Sequence, residues 1–403
     1  MCPAAFSGPV RHVYVHVPFC RSKCDYCDFA SQAVGATPPD DVLDGYVDGV
    51  AAEWERERAA HGVRRLHTLY LGGGTPSLLG PDRLERLLTL FRPSLTSGAE
   101  VTVEANPEDV DTRFAAWAAA AGMAPAGDWE GSPAGGRPGV RSDSVRVSLG
   151  VQSFKEDLRS RLGRRAAADP AGAFVRLRTA GVRNLSVDLM YGLPGQSLAD
   201  LDDDIAALLE LRPEHVSCYE LNVAAGTPLA RRLQGLGGRP SGSASDLNAA
   251  MYRRVVQALE RAGYTWYEVS SFALPGRRGR HNAAFWRARP YLGLGPGAVS
   301  TVGRRRWTNA FDITQWREAL AAGVAPDREE EDLDDVTLAR ERLMLAARCG
   351  APVPLAALAG VLDRTAAAPL ATAGFIALRD DTIRVTRKGR YVADEVCVRL
   401  FRD

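Results

Sequence analysis

The sequence predicts an α/β protein: an incomplete (β/α)6 barrel followed by a smaller C-terminal α+β domain of winged-helix type. Three observations lead there. Six short, mostly apolar runs alternate with longer helical patterns between about residues 11 and 221, the rhythm of a parallel sheet with crossover helices. The motifs with chemical character follow the C-terminal ends of those runs, which favours a barrel over a nucleotide-binding layout. From about residue 328 the composition turns acidic, then Ala/Leu-rich, and closes on a hairpin pattern.

The expected strands are HVYVHV (12–17), HTLYL (67–71), EVTVEA (100–105), SVRVSLG (144–150), NLSVDLM (184–190) and HVSCYEL (215–221). They read as near-continuous apolar runs, as for parallel strands covered on both faces. Helical patterns fill 39–60, 81–92, 109–122, 155–180 and 197–210, with Pro81-Asp82 and Ser197 as helix starts. The barrel core then occupies 1–225. Within it, residues 123–142 are rich in Gly, Pro and Ala and are expected to form a surface insertion without chemistry of its own. A connecting region, 226–327, holds a Gly/Ser-rich stretch (235–245), a helix (246–262), an aromatic segment (264–273) and an Arg/Gly-rich loop with His281. In 328–403 a helix N-capped by Asp332 or Asp334 and closed by Gly350 precedes two short helices, the hairpin and a last helix. Such a module inside an enzyme more often packs or covers a site than reads DNA.

Composition narrows the function. The 403 residues allow two or three domains, and 46% hydrophobic with 25% charged residues excludes bulk disorder. Fifty basic against 49 acidic residues give a formal net charge of +1, without the basic excess a nucleic-acid coat needs. No run of 18 apolar residues exists to span a membrane. The first residues lack a basic and then apolar secretory leader, so the cytoplasm is expected. In that reducing compartment three of the seven cysteines within eight residues point to a metal before disulfides.

Those three are Cys20-x3-Cys24-x2-Cys27, directly after the first strand. Each thiolate can take one iron of a cubic [4Fe–4S] cluster, leaving the fourth iron open. Zinc on the three cysteines plus His16, or plain buried thiols, are the competing readings; structural zinc usually draws on two separated pairs, and no second pair exists here. Gly72-Gly73-Gly74 in LGGGTPS (71–77) permits close backbone approach to a ligand, or merely a tight turn. Glu104 ends the third strand, where it can accept from hydroxyls or an ammonium, or simply face water. Gln152 and Ser153 end the fourth, Arg164 follows in RLGR, and Asp188 lies in the fifth, where burial demands a partner or a function.

C-x3-C-x2-C after a first barrel strand, with Tyr26 just before the third cysteine, resembles the radical S-adenosylmethionine (SAM) superfamily over about residues 10–225. The resemblance implies that the open iron chelates SAM. It also implies an electron donor for the cluster, whose electron cleaves SAM to methionine and a 5′-deoxyadenosyl radical. YVHVPFC, YCDF, GGGTPS, EANP, GVQSF and DLMYGLPGQ together resemble one subgroup: oxygen-independent coproporphyrinogen III oxidase and the HemW-type heme chaperones, whose C-terminal domain the tail also resembles. On that pattern Tyr14, Tyr26, Gly73, Gly74, Thr75, Glu104, Gln152, Arg164 and Asp188 carry over as contacts to SAM or a second ligand.

Three features separate the two branches. The oxidase motif continues C-x-C, where this chain has Phe29. The oxidase carries an extension before its first strand, and this chain reaches Tyr14 almost at once. HNAAFW (281–286) resembles the H-N-x-x-Y-W element of the chaperones, with Phe285 for Tyr. The expected function is a chaperone that binds heme, or another tetrapyrrole, and passes it to a heme-accepting protein; the alternative is oxidative decarboxylation of coproporphyrinogen III. His281 is the candidate heme ligand, with Phe285, Trp286 and Trp266 flanking the macrocycle and Arg277, Arg278, Arg280 and Arg287 facing its propionates. The plainer reading is a loop histidine bonded to backbone, with the aromatics as core. His12, His61, His67 and His215 are expected to lack partners, and Cys218 and Cys349 to be inert.

Overall fold

Val13, Val15 and Val17 alternate with His12, Tyr14 and His16 in the first strand, and this two-residue period organises the molecule. A computed structural model describes residues 5–123, 145–164, 168–235 and 245–402. The insertion at 123–142, Met123 apart, and most of 235–245 lie outside the described residues. Six strands pair in parallel in chain order: β1 (His12–Val17), β2 (Leu66–Gly73), β3 (Leu95–Ala105), β4 (Val145–Gln152), β5 (Leu185–Tyr191) and β6 (His215–Glu220). Their outward residues (Val13, Val15, Leu69, Leu71, Val103, Val147, Leu149, Val187 and Val216) are fully buried against the helices. Each such burial contributes about 1.5–3 kcal/mol. The inward residues are polar. His12 pairs across with Thr68, Tyr14 with Tyr70, Thr68 with Glu100, Glu104 with Ser148, Ser148 with Ser186 and Asp188 with Ser217. The expectation of strands apolar on both faces therefore fails: the open sheet wraps a polar interior.

The helix boundaries follow local chemistry. Ser197 caps Leu198–Leu211 in a capping box with Asp200, and Pro81 stands in the first turn of Gly80–Phe91. The single helix expected over 155–180 is two, Glu156–Arg161 and Pro170–Ala180. Gly163 takes φ +75°, and Asp169 caps the second helix by accepting from the Gly172 N–H.

Six further strands join the same sheet, five of them within the region expected to connect domains. These are β7 (Thr265–Trp266), β8 (Ser271–Ala273), β9 (Tyr291–Leu294), β10 (Val299–Val302), β11 (Arg305–Asn309) and β12 (Arg328–Asp332), in the order β12-β11-β10-β9-β1-β2-β3-β4-β5-β6-β8-β7. β9 runs parallel to β1. Because β12 pairs with β11, the main sheet extends past 328 to Asp332. Asp334, not Asp332, caps the helix Asp335–Cys349 by accepting from the Thr337 N–H, and Gly350 closes it in the left-handed conformation.

The C-terminal module has its own apolar core, with Leu343, Leu358, Ile376, Ile383, Val385 and Leu400. Its sheet joins Val353–Pro354 to the hairpin Ile376–Arg379 and Thr382–Val385. Among the described residues no helix is long and apolar enough to cross a membrane.

Candidate functional site

A cavity of about 890 Å³ opens at the C-terminal ends of the barrel strands. Thirteen of the residues singled out in the sequence line it: Cys20, Cys24, Cys27, Tyr14, Tyr26, Gly73, Gly74, Thr75, Glu104, Gln152, Arg164, Asp188 and His281.

The cysteine loop is pinned from outside. The Asp25 N–H donates to the Leu162 carbonyl at 2.9 Å, and Arg232 meets the Asp25 carboxylate at 2.6 Å. The Thr75 hydroxyl stands 3.5 Å from the Cys20 sulfur, and Arg164 reaches Cys24. Burial pushes the Cys20 and Cys27 thiols above their ordinary range. His16 is a poor fourth ligand. Its Nε2–H donates to the Ala30 carbonyl at 2.6 Å, which leaves Nδ1 to accept from the Tyr14 hydroxyl at 3.0 Å. Among the described residues no three His, Cys, Asp or Glu side chains converge on one point as a mononuclear site needs. A cubic cluster asks for less, one thiolate on each of three irons. The donor set therefore fits an iron–sulfur cluster.

Beside the thiols lies the glycine ledge. Gly73 adopts φ +106°, and a Cβ there would stand 2.5 Å from the His16 ring; a Cβ on Gly74 would stand 2.6 Å from the Phe19 carbonyl. Neither position accepts a side chain. Gly74 and Thr75 donate their N–H groups to the Val17 and Phe19 carbonyls, both at 2.7 Å, so the ledge is tied to the chain that leads into Cys20.

The polar wall follows. Glu104 accepts from the Tyr70 hydroxyl at 2.6 Å and the Gly73 N–H at 3.2 Å, yet burial still holds its carboxyl up at about 7. Asp188 accepts from Ser148 at 3.0 Å and from Ser217, and burial raises it to about 6. Arg164 bonds the Gly150 carbonyl and Asn106, whose amide reaches Thr75 at 3.1 Å. Gln152 sits at φ +66°, a conformation costly for a residue with a side chain, and accepts from the Tyr219 hydroxyl at 2.8 Å. Ser153 does not join them; it turns away to Asp204 of Leu198–Leu211 at 2.8 Å.

The opposite wall is aromatic: the Phe285 ring lies 5.2 Å from Trp286 and 5.7 Å from Tyr291, and Phe29, 62% exposed, forms the lip. His281 stands not in a loop but in the first turn of a helix, Arg280–Phe285, that closes the N-terminal end of the barrel. Glu100 accepts from the Arg280 and His281 N–H groups at 2.8 and 3.1 Å, and Arg146 binds Glu100 at 3.3 Å and the Arg277 carbonyl at 2.8 Å.

Several sequence expectations are corrected here. Arg280 and Arg287 face a separate depression below this floor, with Arg289, and neither Arg277 nor Arg278 lines the main cavity. Trp266 is 5% exposed and carries the Arg390 guanidinium at 3.9 Å, anchoring the C-terminal module to the sheet edge. The other histidines have partners: His12 bonds Thr68, His61 meets Glu57 and stacks on Trp307, His67 packs edge-on to His12, and His215 bonds Ser186 and Tyr267. Tyr70, Asn106, Ser148, Ser217 and Tyr219 are site residues the sequence reading missed, although all but Asn106 occupy the inward register of their strands.

Residues 14–208 match the Radical SAM superfamily. Over 400 residues the chain is 35% identical to the heme chaperone HemW of Mycobacterium tuberculosis, covering 98% of this chain and 95% of that one. The chain belongs to the HemW family of the radical SAM superfamily. The HemW of Escherichia coli is 36% identical over 73% of this chain and 71% of its own. Among solved structures, coproporphyrinogen III oxidase (HemN) from E. coli superposes with a TM-score of 0.76 over 97% of this HemW-family chain and 89% of that chain, at 22% identity. That likeness establishes a shared fold.

Proposed function

We propose that this chain holds a [4Fe–4S] cluster on Cys20, Cys24 and Cys27 with SAM on the adjoining ledge and polar wall, and that it takes up heme against the aromatic wall and passes it to an acceptor protein in the cytoplasm. One observation carries the reading: a single cavity presents three thiols on one side and His281 with Phe285, Trp286 and Tyr291 on the other. The chaperone name of relatives that match it end to end supports heme as cargo. When bound, cluster and SAM supply one-electron chemistry at an open iron. The chain's own residues bind and orient. Gly73 and Gly74 let backbone approach the ligand, Glu104 and Asp188 offer carboxylates to its ammonium and hydroxyls, and Arg164 sets a positive charge beside Cys24. Phe29 stands where the oxidase motif has a further cysteine.

The test is heme titration of anaerobically reconstituted protein, followed by incubation with coproporphyrinogen III, SAM and a reductant. Stoichiometric heme binding, weakened at least tenfold by His281→Ala and without decarboxylation, is the expected result. Conversion of coproporphyrinogen III would make the chain an oxidase.

A pH dependence follows from Glu104. Burial raises this carboxyl, so it stays protonated and neutral until about pH 7 and attracts an ammonium only above that. SAM affinity is expected to rise about tenfold per pH unit below pH 7 and then level off. Calorimetry with Glu104→Gln should flatten that rise; a flat profile in the parent protein removes Glu104 from the ammonium contact.

A further inference from the structure

The inference rests on the heme-binding reading and deepens it. Thr68 is 1% exposed, and its hydroxyl stands 2.9 Å from His281 Nδ1 and 2.9 Å from His12 Nδ1. A threonine hydroxyl has one proton to give, so it donates to at most one of the two rings and must accept from the other. Two settings remain. If Thr68 donates to His281, the ring proton sits on Nε2, and the nitrogen facing the cavity has no lone pair for iron. If Thr68 donates to His12, it accepts from the His281 Nδ1–H, and Nε2 offers its lone pair to the cavity.

The main chain is fixed as well. Glu100 accepts the His281 N–H at 3.1 Å, and the ring lies 5.1 Å from Tyr70. The backbone is thus held by β3, and the ring face and Nδ1 by β2 through Tyr70 and Thr68. We propose that Thr68, backed by His12, is the positioning residue that holds His281 in its iron-binding tautomer, as the chain His281 Nδ1–H to Thr68 Oγ1 and Thr68 O–H to His12 Nδ1. Neither Thr68 nor His12 lines the main cavity. Groups that orient a metal-bound histidine commonly change affinity 10- to 100-fold when lost.

The test uses the full chain with its cluster reconstituted, loaded with ferrous heme, and reads the iron–histidine stretching band by resonance Raman alongside heme affinity. Thr68→Val keeps the shape and removes the acceptor: the band is expected to shift to lower frequency and heme to bind about 10–100-fold more weakly. Thr68→Ser should restore both. His12→Phe, which removes only the outer acceptor, should shift the band in the same direction by less and serves in its place should the valine variant not fold. Parental band and affinity in Thr68→Val, with the band lost in His281→Ala, would overturn the inference and leave the heme reading intact. Heme bound unchanged by His281→Ala would overturn the ligand assignment beneath it, and the inference with it.

Discussion

Single replacement of Cys20, Cys24 or Cys27 by serine is expected to abolish the visible absorbance, bound iron and bound sulfide of anaerobically reconstituted protein. Cys218→Ser, by contrast, should leave all three near parental levels. The loss is expected to be total because each thiolate serves a different iron and none duplicates another. Cys218 is the suitable control: it is as free as the others but 1% exposed, on the outward face of β6 within the apolar core. The sulfur environment adds a direction in pH. Burial raises the Cys20 and Cys27 thiols, so at neutral pH iron must displace their protons, and loading should be more complete at about pH 8.5 than at about 6.5. A serine variant that keeps parental iron and sulfide would remove this loop as the ligand set, and the SAM ledge beside it would lose its purpose.

The sequence made this half of the site legible because its signals are short-range. Three cysteines in eight residues, three consecutive glycines and a carboxylate at a strand end are visible without knowing how the chain closes. Tyr70, Ser148, Ser217 and Tyr219 were equally within reach. They alternate with Leu69, Leu71, Val147, Leu149, Val216 and Cys218 at the period of a strand. Taking those runs as apolar on both faces hid the inward series. β9 gave little to find, since YLGL leads straight into GPG and glycine weakens any strand pattern. The placement of 277–289 had no local signal at all. Glu100, some 180 residues earlier, caps the Arg280 and His281 N–H groups, and together with contacts from Gly98, Thr68 and Tyr267 it places Arg280 and Arg287 away from the cavity while His281 borders it.

That dependence makes Glu100 a consequential position although it lies outside the cavity. Glu100→Ala is expected to lower the free energy of unfolding by about 3–5 kcal/mol, the range for breaking a buried ion pair from one side. Glu100 and Arg146 are 5% and 4% exposed. Removing the carboxylate leaves the Arg146 guanidinium without its charge partner, although the Arg277 carbonyl and Asn184 still accept from it. It also strips the cap from two N–H groups of Arg280–Phe285. Glu100→Gln separates the two contributions, because an amide oxygen can still accept both N–H groups while the charge is gone. Its loss should be smaller, and the difference between the variants measures the cap. Urea unfolding supplies the free energies, and hydrogen exchange over 279–286 reports whether the floor helix frays in the alanine variant but holds in the glutamine one. Equal stability of parent and Glu100→Ala would mean that the other contacts of the floor, from Tyr267, Arg146, Gly98 and Thr68, suffice to hold it. Heme affinity provides the functional readout: if the Glu100 cap aims His281, the alanine variant should bind heme more weakly than the glutamine variant even at temperatures where both are fully folded.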